Sequence, residues 1–291
     1  MTDKKMSNSA MYQKARRDAF HDRCAELGID VDPALVWYHS IDLGRGLVTP
    51  GTFDLRPHLS TYRFPLDMRG LKVLDIGPGD GFFSFEFLRR NASLTVVELP
   101  SISDIDQLPG RGVADLLRTA QHFLPPHVPE LPDQLTLETL DRLMLNGPLD
   151  FCCRQLGINL DIRRATIYEI ADEKFGIGLF DWVFIGDVLL HVIDPIRALT
   201  AAATVCSDTL VIAQPVPDDL GDGPMARWRG GDHPDFDYLE WWLPNFSWYQ
   251  EILNKLDFES IKLVGRFNAK MLATNHPAER AIIHARKRII D

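Results

Sequence analysis

Between Leu71 and Leu99 the chain alternates in a way that few folds permit. "LKVLDIG" (71–77) is an apolar run of strand length. A glycine turn follows, then "GFFSFEFLRR" (81–90) at helix density, then a second apolar run, "SLTVVEL" (93–99). Two strands joined through a helix lie parallel, and repetition of the unit builds a parallel sheet covered by helices on both faces. The rhythm returns after residue 150. "LDIRRATIYEI" (160–170) reads as a third strand and "LFDWVFIGD" (179–187) as a fourth. Asp194 and Pro195 then open a helix as N-cap and first helical residue. "DTLVIAQP" (208–215) is a fifth strand, and "FESIKLVGRF" (258–267) and "RAIIHARKR" (280–288) close the chain as two more. The sum is a Rossmann-like α/β fold: seven strands, mostly parallel, with the final strand pair reversed and the last strand antiparallel. Apolar residues make up 45% of the 291 residues, enough for such a core.

Three stretches do not fit the rhythm. Residues 1–8 are polar and read as disordered, and 9–27 as an amphipathic helix ended by Gly28, with Met11, Ala15, Phe20, Cys24 and Leu27 on one face. The segment "VWYHSIDLGRGLVTPGTFDLRP" (36–57) is too irregular for an element and too apolar for a linker. Residues 101–148 interrupt the sheet with leucines, with prolines in "FLPPHVPELP", and with two short helices expected near 112–123 and 133–145. A long insertion of this kind is a functional cap or a disordered segment, and its leucines favour the cap. Residues 216–246 form a second irregular segment carrying Trp228, Trp241 and Trp242, before a helix expected to start at a Ser247/Gln250 capping box. The expected organisation is an N-terminal helix and capping segment (1–66) on a sheet domain (67–291), with a helical insertion at 101–148 and a lid at 216–246.

The turn after the first strand reads Asp75-Ile76-Gly77-Pro78-Gly79-Asp80-Gly81. Glycines between a strand and a helix let a ligand approach the backbone and the helix N-terminus. A dinucleotide fingerprint spaces its glycines as G-x-G-x-x-G, whereas here they alternate. An acid beside the turn, Asp75, disfavours a pyrophosphate and can serve a cationic ligand. Glu98 ends the second strand about 20 residues on, where a carboxylate that binds ribose belongs. A nucleoside bearing positive charge and no phosphate fits these constraints, a description that S-adenosylmethionine meets.

"VLDIGPGDGFF", "VVELP" and "FDWVFIGDVLLHVIDPIRAL" resemble the motifs of class I S-adenosylmethionine-dependent methyltransferases. With "WYHSIDLGRGLVTPG", "LLHVIDP" and "WWLPN…W", the chain is similar to the small-molecule relatives of the wobble-uridine tRNA carboxymethyltransferase family. The resemblance implies that Asp75 lies near the methionine part of the cofactor and that Gly77 and Gly79 give it backbone room. Glu98 would hold the ribose hydroxyls and Leu99 the adenine. Thr166 and Ile167 stand where the family often has an adenine-binding Asp, and Asp187 follows the fourth strand near the cofactor's amino group or the acceptor. Trp37, Asp80 and Phe82 are further candidates for cofactor contact.

For the acceptor, the candidate bases are His191, His39, His233 and Glu240. The plainer reading of His191 is a structural histidine and of His233 an exposed loop histidine, and Trp241 and Trp242 either line an acceptor pocket or fill core. Arg45, Arg56 and Arg63 read as solvated surface. The net charge of −10 disfavours nucleic acid as partner. No run approaches the length of a membrane span, no metal-ligand spacing is evident, and the four cysteines read as reduced thiols of a cytoplasmic protein. The expected activity is methyl transfer to a small organic acceptor; tRNA modification and a catalytically silent binding protein on the same fold are the alternatives. The oligomeric state, a homodimer included, is left open.

Overall fold

The structure, a computed structural model, describes residues 8–124, 131–231, 237–272 and 275–288. Its centre is a seven-stranded sheet in the order β3-β2-β1-β4-β5-β9-β8. The strands are β1 (Lys72–Ile76), β2 (Ser93–Glu98), β3 (Asp161–Arg164), β4 (Phe180–Gly186), β5 (Cys206–Gln214), β8 (Phe258–Lys270) and β9 (Pro277–Lys287). The first five pair in parallel, β9 runs antiparallel to β5, and β8 runs antiparallel to β9. The reversal is therefore confined to β9, and β8 returns to the direction of the parallel strands. The chain winds outward from β1 through β2 to β3, then restarts at β4 on the other side of β1. That reversal of winding leaves a crevice at the carboxyl ends of β1 and β4, the position at which open α/β sheets bind ligands.

Alternate residues of each strand feed two cores. Val73, Trp182, Phe184 and Val211 face one with Phe83 and Phe87, while Leu74, Ile76, Val183, Ile185 and Leu210 face the other. The first core is closed by α1 (Asn8–Glu26), by the chain through Trp37 and Leu55, and by α2 (Phe82–Arg89); the second by α6 (Pro195–Val205) and α7 (Phe246–Lys255). Gly28, in the left-handed region at φ 67°, follows α1 as expected. Residues 1–7, the bulk of the stretch read as disordered, lie outside the described residues.

The insertion differs from expectation in its second helix. After α3 (Val113–Phe123), α4 (Leu137–Leu140) passes through a π-helical turn (Asp141–Asn146) directly into α5 (Gly147–Leu156). Pro148 sits inside this continuous helix. It lacks the N–H that an α-helix needs there and its ring crowds the preceding turn, so a wider turn upstream accommodates it. The third strand is shorter than the apolar run suggests. It ends at Arg164, and Glu169 then draws Thr166 into a turn by accepting from its N–H and its hydroxyl, both at 2.8 Å.

The helix after the lid is capped by a different residue from the one expected. Asn245, not Ser247, is the N-cap: its side-chain oxygen accepts from Trp248 N at 3.0 Å and from Met225 N at 3.1 Å, and its amide donates to Gly223 O at 2.7 Å. Ser247 instead donates to Asp222 O. One buried asparagine thus starts α7 and ties down the irregular segment before it, which also contains a two-stranded ribbon of β6 (Ala226–Trp228) and β7 (Trp242–Pro244). Asn245→Ala should cost about 2 kcal/mol, the upper end for a lost N-cap, because further bonds go with it. Thermal unfolding of the variant checks this.

The four cysteines are free. Among the described residues no helix is long and apolar enough to cross a membrane.

Candidate active site

A cavity of 450 Å³ opens over the carboxyl edge of the sheet. Its floor comes from the carboxyl ends of successive strands: Gly77 and Gly79 after β1, Glu98 at the end of β2 and Leu99 after it, Thr166 and Ile167 after β3, and Asp187 after β4. All seven were singled out from the sequence, and the topology brings them together because parallel strands end on the same edge. Gly77 has φ 71° and packs so tightly that a Cβ there would meet Val188 Cγ2 at 2.5 Å. Gly79 has φ 58° with nothing within 4 Å of a Cβ position, so it leaves backbone facing open space.

Glu98 is only 6% exposed and turns its carboxylate to this turn. Leu99 N donates to it at 2.8 Å and the Gly79 N–H donates as well. Burial dominates over these bonds and pushes the carboxyl up to about 7. On the floor's far side, Asp187 is held at φ 52° with its N–H on Ala213 O at 2.8 Å. Its Oδ2 accepts from Arg280 Nε at 2.8 Å and from the Tyr38 hydroxyl at 3.2 Å, while its buried Oδ1 has no partner among the described residues. Thr166 donates both its N–H and its hydroxyl to Glu169, and its carbonyl accepts from Glu169 N, so its polar groups are engaged within this turn.

Four of the cofactor-contact candidates stand outside the lining. Trp37 is 3% exposed and packs edge-on against Phe20 and Phe151, with centroids 5.4 and 5.5 Å away. Its neighbours Tyr38 and His39 reach the cavity instead. Asp75 lies beneath the turn and accepts from Ser84 Oγ at 2.6 Å; burial pushes it up to about 7. Asp80 is turned away as well, accepting from His39 N at 2.6 Å and from His39 Nδ1 at 2.5 Å. Phe82 stacks on the His39 ring at 5.2 Å, and it is Phe83, one helical step further round, that lines the cavity.

Two of the candidate bases line the cavity. His39 is gripped by Asp80 through Nδ1, which fixes the ring and leaves Nε2 as the acceptor nitrogen. His191 donates from Nδ1 to Leu239 O at 2.6 Å, which likewise frees its Nε2. His233 lies outside the described residues. Glu240 pairs with Arg229 at 3.1 Å on the surface. Trp241 is fully buried, with its indole N–H on Asp106 O at 3.2 Å, and Trp242 donates to Ile193 O at 3.1 Å. Both anchor the lid rather than line the cavity. Arg45, Arg56 and Arg63 do not line it either, and Arg56 pairs with Asp54 at 2.7 Å.

The sequence reading missed Tyr38, Arg280 and Asp106. Asp106 is the insertion's fastening: its Oδ2 accepts from the Tyr168 hydroxyl and, at 2.6 Å, from Ile193 N. A charged residue at the head of the apolar run "RAIIHA" was the available signal for Arg280. Among the described residues no cluster of His, Cys, Asp and Glu is placed to hold a metal ion.

No family model matches the chain, and no curated protein matches it. Among solved structures, the chain is similar to the N-terminal domain of EvdMO1 with SAH bound (14% identity, 99% of this chain and 100% of that one, TM-score 0.45). It is also similar to magnesium protoporphyrin IX methyltransferase from Synechocystis PCC 6803 with bound SAM (14%, 98% and 100%, TM-score 0.41) and to YcgJ of Bacillus subtilis (11%, 80% and 98%, TM-score 0.47).

Proposed function

We propose that the protein transfers a methyl group from S-adenosylmethionine to a small organic acceptor. The observation that carries the reading is Glu98. Its carboxylate is buried at the end of β2, steadied by the N–H groups of Leu99 and Gly79, and borders a cavity beside a glycine turn at the switch point of the sheet. A carboxylate so placed accepts from a pair of vicinal hydroxyls. Asp187 adds a second carboxylate at the same floor, held there by Arg280 and the Tyr38 hydroxyl. The open face of Gly79 leaves backbone room between them.

When bound, the cofactor supplies an electrophilic methyl group and its own leaving group. The protein's part is alignment, exclusion of water and removal of a proton where the acceptor carries one. His39 fits the last role best. Asp80 fixes its tautomer, its ring is clamped between Tyr38, Phe82 and Phe83, and its Nε2 has no partner among the described residues. His191 is held by a main-chain carbonyl alone and serves better as a wall of the cavity.

The insertion and the lid roof the cavity with apolar side chains, an enclosure suited to a small molecule. Titration calorimetry of the folded protein with S-adenosylmethionine tests the reading. We expect stoichiometric binding; an absence of measurable heat and of competition by S-adenosylhomocysteine would reject it.

A further inference from the structure

The half of the cavity remote from the glycine turn lies under the insertion. There Leu116, Ala120, Leu124, Leu140 and Met144 present an aliphatic face, and Leu239 of the lid packs against the same cluster. Phe123 of α3 meets Tyr238 of the lid edge-on at 5.4 Å, so aromatic rings join the two roof pieces. The charged groups lining the whole cavity are carboxylates: Glu98, Asp104, Asp106 and Asp187. Among the described residues no lysine or arginine lines it.

The nearest guanidinium groups are engaged elsewhere. Arg280 is buried on Asp187 and lies over the Phe53 ring at 5.1 Å. Arg111 pairs with Asp237 at 3.2 Å, and Arg164 donates to Leu99 O and Asn146 Oδ1.

An anion entering such a chamber would lose its hydration, find no cation, and meet like charges at low dielectric. We infer that the acceptor is an apolar molecule without carboxylate or phosphate, neutral or cationic at its polar end, which packs its ring or chain under α3 and Leu239. The inference rests on the reading of the cavity as a chamber shared by cofactor and acceptor.

Three probes of one shape test it: 2-naphthol, 2-naphthylmethylamine and 2-naphthoate, titrated calorimetrically into the full chain saturated with S-adenosylhomocysteine. The alcohol and the amine should each bind at least tenfold more tightly than the carboxylate. Phe123→Arg, at a side chain 40% exposed and therefore tolerant of change, should bring 2-naphthoate to within threefold of 2-naphthol. Ala120→Trp, which fills the space under α3, should weaken 2-naphthol at least tenfold, with near-ultraviolet circular dichroism reporting that the variant is folded.

Carboxylate binding as tight as that of the alcohol, or no binding by any probe, overturns the inference, as does a folded Ala120→Trp protein with unchanged affinity. Titration with S-adenosylhomocysteine alone separates the two readings. If it binds and the charge preference is absent, only the acceptor class falls. If it does not bind and the preference persists without it, the proposed function falls and the chemistry of the chamber stands.

Discussion

Glu98→Gln should weaken cofactor binding sharply while making the free protein more stable. Burial raises the Glu98 carboxyl to about 7, above an ordinary value of about 4.3. A carboxyl raised on folding favours the folded state most below its unfolded pKa, and that contribution is lost as pH climbs through the folded value. The free wild-type protein therefore loses stability from this group between about pH 4.3 and 7. Glutamine keeps the shape and an acceptor for the N–H groups of Leu99 and Gly79 but carries no charge. At pH 8 the variant should gain on the order of 2 kcal/mol, seen as a melting temperature higher by several degrees, and the gain should shrink toward pH 4.

Affinity for S-adenosylmethionine should fall at least 100-fold in Glu98→Gln, about 3 kcal/mol for losing a charged acceptor of two hydroxyls. In the wild type, affinity should weaken as pH drops below 7, because the proton must leave before the carboxylate can accept both hydroxyls. A variant that loses stability at pH 8, or binds the cofactor as the wild type does, contradicts this account of the site.

Arg280→Ala should be the most damaging single change near the cavity. The Arg280 and Asp187 side chains are 8% and 14% exposed and bonded at 2.8 Å. Removing the guanidinium strands a carboxylate that already has one unpartnered oxygen, and the expected loss is about 3–5 kcal/mol. Asp187→Ala added to Arg280→Ala should restore part of that loss, because the stranded charge goes with it. A double-mutant cycle by urea denaturation measures the coupling. Additive losses would mean that the pair is merely adjacent.

What could be read from the sequence divides along the range of the interactions. Gly77, Gly79 and Glu98 could be placed on one edge because each lies at or just beyond the end of a strand, and parallel strands bring their ends together whatever packs around them; Thr166 and Asp187 came from the family resemblance. The direction of a side chain within an irregular or helical stretch could not. Trp37 and Tyr38 are neighbours, and only packing against Phe20 and Phe151 decides which of them faces the cavity. The same holds for Phe82 and Phe83, which a single helical step separates. Arg280 meets Asp187 across 93 residues, through the insertion of β9 beside β5, a pairing that no local pattern encodes. The cap at Asn245 was hidden by a plausible competitor two residues on, and contacts to Gly221 and Gly223 decided between them.

Asp106 couples parts of the chain that would otherwise fluctuate apart. Its carboxylate joins the insertion to Tyr168 after β3 and to Ile193 before α6, while its carbonyl receives the Trp241 indole of the lid. Lifting the roof by local unfolding must break these bonds together, so the insertion, the lid and the turn before α6 form a single cooperative unit.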